Sequence, residues 1–439
     1  MNNEADKNDT VYKSKGGRFL SVLCILLCAV MTLSSCNFVQ RTGYESAAET
    51  EVQTGEYEEN TVPMPTAADK IYEAQTPVIN YGTGGSSALS DDIKSKADGI
   101  SKKYGAVGVQ AAVLHNGTVI NTYQYGLAVR EQNKPVTSDT KFRIASLSKI
   151  VTDAVFMALA EEGRVSENMD ISDVFGASIR NPNFPDVKIT PAMLMTHSSS
   201  IIDGERFLSG RNGNSSITIE DILSSGSTYS SHRPGSYFEY SNFGIALIGS
   251  ICERATGQSF ETLASKYIFN PLQIDAAYTA SHLRDRSQLA ALYGSGGYSI
   301  EKQLSFSFSN TIGATYDLVQ GNLTISAKDY AKIIGSITQS AISGRKGIIS
   351  SSSAGKMLSS QFSGQGYSLG YGQYIRSRVI EGQQLCTHNG TNFGMFSTFA
   401  VNPRTGDGVV VFTSGASGQV DSSADVYSVC LELIRLLWP

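Results

Sequence analysis

Apolar residues are distributed along this chain in three regimes. The run FLSVLCILLCAVMTL, from Phe19 to Leu33, is apolar almost without interruption. Residues 37 to about 88 sustain no apolar period. From Ser90 onward, segments with a two-residue period alternate with segments repeating every three to four. This last regime predicts a folded domain over residues 89–439. Ser90-Asp91-Asp92 reads as a helix start, a hydroxyl to cap the first turn followed by acids, and SDDIKSKADGISKKYG ends at Gly105. GVQAAVLHNGTVINTYQYGLA predicts two strands about Asn116-Gly117, the strongest short hairpin signal. Towards the C-terminus GMFSTFAVNP and DGVVVFTSGA read as strands, and SSADVYSVCLELIRLLWP as a helix with one apolar face. Strands at both ends with helical patterns between them predict an α/β (α+β) domain. Its antiparallel sheet is built from both termini and flanked by helices, with a mostly helical region inserted.

The first two regimes read as export and tether. Lys13, Lys15 and Arg18 precede the apolar run, whose fifteen residues fall short of the ~20 that span a bilayer as a helix. A signal peptide over residues 1–36 is expected. Leu33-Ser34-Ser35-Cys36 is similar to the bacterial lipobox, in which the cysteine receives lipid. Lipidation at Cys36 would hold the chain to a membrane outside the cytoplasm. Residues 37–88, first acidic (YESAAETEVQTGEYEEN) and then rich in Pro, Thr, Gly and Ser, bury too little to offset the entropy of ordering. A flexible tether of ~50 residues would span roughly 35–45 Å.

Composition narrows the function. A hydrophobic fraction of 41% supports a real core, and a net charge of −5 offers no basic face for nucleic acid. The five histidines form no HExxH or comparable cluster, and the six cysteines are too scattered for a disulfide framework. Neither a metal nor a cofactor is expected.

The candidate chemistry starts at Ser146-Leu147-Ser148-Lys149. Ser-x-x-Lys occurs five times, at Ser138, Ser146, Ser299, Ser343 and Ser353, so spacing alone selects none. Ser138, Ser299 and Ser343 lie in loop-like compositions, and the run after Ser353 is weakly apolar. Only Ser146 opens a long helical pattern, with Leu147, Ile150, Val151, Ala154, Val155, Ala158 and Leu159 on one recurrence. A serine and a lysine at i and i+3 of such a helix share a face. Its N-terminal end favours developing negative charge.

About ninety residues on, Pro234-Gly235-Ser236-Tyr237-Phe238-Glu239-Tyr240-Ser241-Asn242 contains the only Tyr-x-Asn of the chain. With FRIASLSK, Ala255-Thr256-Gly257 and Ile268-Phe269-Asn270-Pro271-Leu272, this resembles the serine β-lactamase and penicillin-binding family. The branch is that of class C β-lactamases, DD-peptidases and related esterases. The resemblance runs from about Ser90 to the C-terminus and implies a β-lactamase/transpeptidase-like fold. PAMLMTHSSSI, from Pro191, is similar to the family's Leu-Leu-Thr-His-Thr-Ser-Gly stretch, with Ser200 where glycine is usual and His197 read as structural. The family's Lys-Thr-Gly is absent. His-Asn-Gly occurs at His115, inside the predicted hairpin, and at His388, in the order the family requires.

The resemblance implies Ser146 as nucleophile, with Lys149 and Tyr240 moving its proton. Either a lysine of lowered pKa or a tyrosinate is the base. Asn242 would hold the substrate's acyl amide and orient Lys149. His388 and Gly390 would line the substrate edge, and the backbone amides of Ser146 and Thr391 would stabilise the oxyanion. A partly charged His388 would grip a substrate carboxylate less firmly as pH rises. The expected activity is hydrolysis, through an acyl-enzyme, of D-amino-acid-containing peptides, related amides or esters, with peptidoglycan stem peptides or β-lactams as candidate partners. The alternatives are a class C-like β-lactamase and a protein that is acylated by β-lactams without turnover.

Overall fold

The computed structural model describes residues 89–439 except 212–215, 295–296 and 310. The signal peptide, Cys36 and the tether lie outside the described residues. Order begins with helix α1 (Asp91–Lys103), whose N-cap Ser90 accepts a hydrogen bond from the Ile93 N–H, with Asp91 and Asp92 in the first turn and Lys102 and Lys103 in the last. Charges so placed complement the helix dipole at both ends. Strands β1 (Gly108–His115) and β2 (Thr118–Val129) follow, joined by Asn116 and Gly117 at φ of 49° and 69°. Two left-handed central residues make the type I′ turn that the Asn-Gly pair predicts.

A nine-stranded antiparallel sheet unites the two ends of the domain. Beside β1 and β2 it contains β3 (Lys134–Pro135), β4 (Phe362–Gly364), β5 (Tyr367–Gly370), β6 (Gln373–Arg376), β7 (Leu385–Asn392), β8 (Met395–Val401) and β9 (Gly408–Ser414). The order is β3-β2-β1-β9-β8-β7-β6-β5-β4. The first long strand therefore pairs with the last, Val109 opposite Thr413 and Val113 opposite Val409. Alternation along β1 sends its residues to two cores. Val109, Ala111 and Val113 join Ala97 of α1 and Leu431, Leu433 and Ile434 of the C-terminal helix α5 (Ser428–Leu437). Ala112 and Leu114 face the inserted helical region with Ile150, Phe156 and Tyr330. Both faces are covered, which is why these strands read as nearly continuous apolar runs.

Three further helices form the opposite layer: α2 (Ser148–Glu161), α3 (Asn242–Thr256) and α4 (Ala327–Ser343). In α2 every residue from Ser148 to Leu159 is buried, Lys149 and Asp153 included.

Four local expectations are corrected. The C-terminal helix begins at Ser428 rather than near Ser422: Asp421 Oδ1 accepts from the Ser423 and Ala424 N–H groups, and Val426–Tyr427 pairs with Val420–Asp421. Side-chain capture of backbone donors by aspartate makes a turn there instead of a helical start. Ser299 caps a helix, Ile300–Ser305, instead of lying in a loop, and Ser343 is the last residue of α4. Ser146 itself precedes α2, in a 3₁₀ turn over Ala145–Leu147.

Candidate active site

The turn that carries Ser146 is held from several sides. Ala145 has φ of 50°, a left-handed conformation that a residue with a Cβ adopts only under constraint from its surroundings. Ser148 Oγ donates to the Ala145 carbonyl at 2.6 Å, Tyr330 donates to the Leu147 carbonyl at 3.0 Å, and Ser397 donates to the Ile144 carbonyl at 3.1 Å. Strand β7 lies directly on this turn. A Cβ at Gly390 would sit 2.5 Å from the Ile144 oxygen and 2.4 Å from Ser397 Oγ, so only glycine permits the approach. Thr391 is the next residue on that strand, in register with Phe396.

Three stretches far apart in sequence converge on one oxygen. Lys149 Nζ lies 3.0 Å and the Tyr240 hydroxyl 2.9 Å from Ser146 Oγ. The lysines of three other Ser-x-x-Lys tetrads are occupied elsewhere, Lys141 with Asp329, Lys346 with Glu161 and Lys356 with Glu167. Lys149 also reaches Asn242 Oδ1 at 2.9 Å and the Gln320 carbonyl at 2.7 Å. Burial pushes its pKa down to about 7; the Asp203 charge opposes that shift and Arg211 adds to it. The same burial raises the Tyr240 phenol well above its ordinary value. Of the two bases left open by sequence, the amine is the one that loses its proton near neutrality.

The amine's partners give it direction. Asn242 Oδ1 and the Gln320 carbonyl only accept hydrogen bonds. A neutral Lys149 with its two N–H groups on these oxygens has its lone pair left for Ser146. The Asn242 amide cannot flip, because its Nδ2 donates to Asp203 Oδ2 at 2.7 Å. Asp203 also accepts from the Phe243 N–H at 2.9 Å and from Ser241 Oγ at 3.2 Å, binding the N-terminus of α3. Sequence reasoning missed both Asp203 and Gln320. Asp203 falls two residues past PAMLMTHSSSI and belongs to no motif of its own, and Gln320 acts through its backbone.

His197 has the supporting place expected of it. Its Nδ1 accepts from the Ser241 N–H at 3.2 Å, its carbonyl accepts from the Glu239 N–H, and its ring packs 4.4 Å from that of Tyr240. Ser200, standing where glycine is usual, has φ of 66°, the conformation a glycine would take without strain.

His388 is at the site, 6.2 Å from Tyr240 between ring centroids, but its expected charge is corrected. The side chain is buried, and its Nδ1–H donates to the Asn389 carbonyl at 2.6 Å. Desolvation, with Lys149 nearby, pushes its pKa down to about 3. It is neutral throughout the physiological range, so an alkaline loss of grip on a carboxylate has no basis here. Asn242 Oδ1 accepts from Lys149 and its Nδ2 donates to Asp203, the orienting half of the role expected of it. Among the described residues no group of histidine, cysteine and carboxylate side chains could hold a metal ion.

Residues 93–430 match the family model described as Beta-lactamase. Protein flp of Staphylococcus aureus (strain N315) is 30% identical over 166 residues, 37% of this chain and 32% of that protein. Esterase EstB of Burkholderia gladioli is 28% identical over 180 residues, 38% of this chain and 45% of the esterase. The chain thus matches about a third to under a half of the length of these curated relatives. Among solved structures, the octameric penicillin-binding protein homologue from Pyrococcus abyssi superposes with a TM-score of 0.62 at 23% identity, covering 77% of this chain and 75% of that one. A beta-lactamase/D-alanine carboxypeptidase from Pseudomonas syringae gives 0.60 at 15% identity, covering 79% and 98%. Both likenesses show a shared β-lactamase/transpeptidase-like fold. With a family model spanning most of its length, this chain belongs to the beta-lactamase family.

Proposed function

We propose that this protein is an extracytoplasmic serine hydrolase that cleaves amides or esters through an acyl-enzyme on Ser146, after the manner of DD-peptidases and esterases. The observation that carries the reading is the convergence of Lys149 and Tyr240 on one hydroxyl. Neutral Lys149 takes the Ser146 proton as Oγ attacks the carbonyl carbon, giving a tetrahedral oxyanion against the backbone at Ser146 and Thr391. Tyr240, its proton retained by burial, is placed to pass that proton to the leaving amine or alkoxide, and the proton that Lys149 took from Ser146 restores the phenol. Water then repeats the sequence and frees the acid. The names of the relatives, an esterase and a beta-lactamase/D-alanine carboxypeptidase, support this substrate range. The absence of Lys-Thr-Gly from the sequence weighs against a class C β-lactamase.

Export and a lipid anchor at Cys36 complete the proposal, supported by the apolar run and Leu33-Ser34-Ser35-Cys36. The test of the chemistry is to incubate the protein with a p-nitrophenyl ester, a D-Ala-D-Ala peptide, a chromogenic cephalosporin and a fluorescent penicillin, and to locate adducts by mass spectrometry. The expected result is an adduct on Ser146, absent from Ser146→Ala, and turnover of at least one compound. Labelling with no turnover of any of them would make the protein a β-lactam receptor instead.

A further inference from the structure

The wall beside the nucleophile contains a buried polar atom with no partner. His388 is 3% exposed, and its Nε2, out of contact with solvent, has no hydrogen-bond partner. Since Nδ1–H is committed to the Asn389 carbonyl, Nε2 carries the lone pair and can only accept. An orphaned buried acceptor is costly, and its retention calls for a use. The ring stands between Tyr240 at 6.2 Å and Tyr374 at 5.3 Å, so the orphan belongs to the same wall as the Ser146 site.

The surroundings decide what could meet it. The cations facing His388 are Lys149 and Arg376, and both disfavour a proton on its ring. Arg376 is itself committed, stacked 4.3 Å from the Tyr374 centroid and bonded to Thr387 Oγ1 and Asp425. His197, the neutral neighbour behind Tyr240, adds no negative charge that would favour protonation. A carboxylate oxygen brought to Nε2 would therefore meet a lone pair instead of a donor. Around the imidazole the wall is aromatic: Tyr374 packs on Phe238 at 6.0 Å and on Tyr367 at 6.1 Å, and those two rings lie 4.4 Å apart. Tyr367 is on the β4–β5 hairpin, whose tip residue Gln365 accepts from the Phe238 N–H at 2.9 Å. Tyr367, 41% exposed, is the outermost ring of this wall.

We infer that His388 is a specificity-determining residue that accepts a hydrogen bond from an uncharged N–H or O–H of the substrate, selecting amides and esters that carry no free carboxylate at this position. The inference rests on the acyl-enzyme reading for its chemistry but not for its binding preference. Binding is therefore measured separately from turnover. Three forms of one N-acylated D-Ala-D-Ala peptide, ending in a carboxamide, a methyl ester or a free acid, are titrated by calorimetry into Ser146→Ala and assayed for hydrolysis by the native protein.

The carboxamide is expected to bind Ser146→Ala about tenfold more tightly than either other form, the scale of one hydrogen bond to a buried partner. His388→Lys is expected to invert the order of carboxamide and free acid. A free acid or methyl ester that binds as well as the carboxamide overturns the inference, whatever the hydrolysis assay gives. A preference for the carboxamide without any adduct on native Ser146 would leave the inference standing and remove the acyl-enzyme reading.

Discussion

Lys149 is the residue on which the site's pH behaviour turns. A lysine whose proton affinity is lowered by burial works as a base only when neutral, so activity is absent well below its pKa and complete well above it. With that pKa near about 7, kcat/KM for a neutral ester is expected to rise from about pH 5 to a plateau above about pH 8, with its midpoint near neutrality. A stopped or initial-rate pH profile checks this, and a flat profile would exclude Lys149 as the base. Asp203 opposes the shift through its negative charge. Asp203→Asn should therefore move the acidic limb to lower pH. It should also cut kcat/KM roughly 10- to 100-fold, because the Asn242 amide is no longer held with its oxygen on Lys149. A loss of rate with an unmoved limb would reduce Asp203 to a cap of α3. The Ser-x-x-Lys and Tyr-x-Asn motifs supplied the side chains and left two candidate bases, but neither the choice between them nor the part of Asp203 was legible there.

Between elements, the decisive contact is that of β7 with the turn ahead of α2. Gly390 has no room for a methyl group, with backbone and hydroxyl oxygens at 2.4–2.5 Å from where it would be. Gly390→Ala is expected to push the strand off the Ser146 turn. The expected outcome is at least a hundredfold slower acylation of Ser146, read by mass spectrometry, for a loss of stability of only about 1–3 kcal/mol by urea titration. Normal acylation in that variant would mean that the strand and the turn yield independently of the chemistry. The sequence indicated this glycine through the second His-Asn-Gly and its place before a strand pattern. What it could not show is that the constraint comes from the Ile144 carbonyl, about 250 residues earlier, since nothing in local spacing encodes which loop packs on a strand.

At the scale of the molecule, the sheet separates two jobs. One face is sealed by α1 and α5, and the other supports α2, α3 and α4 with the site. Leu433 is fully buried on the sealed face. Leu433→Ala should cost about 2–5 kcal/mol of stability while leaving the acylation rate of the folded fraction unchanged, a combination read from denaturation and burst kinetics together. A rate that falls in proportion to stability would show that the two faces are coupled. If Cys36 is lipidated, as proposed, Cys36→Ala expressed in a bacterial host should move the protein from the membrane fraction to the soluble one.

Short-range information was enough for much of this protein. The Asn116-Gly117 turn, the capped helix after Ser90, the strands at both ends and the i, i+3 pairing of Ser146 with Lys149 all follow from local sterics and periodicity. The positive φ at Ala145, the lock of Asp203 on Asn242, the Gln320 carbonyl on Lys149 and the neutral state of His388 were decided only by the tertiary structure. The reason is desolvation and long-range contact: a side chain's proton affinity and the partner of a backbone oxygen are set by what is brought beside them and how little water remains, and neither is a property of neighbours in sequence.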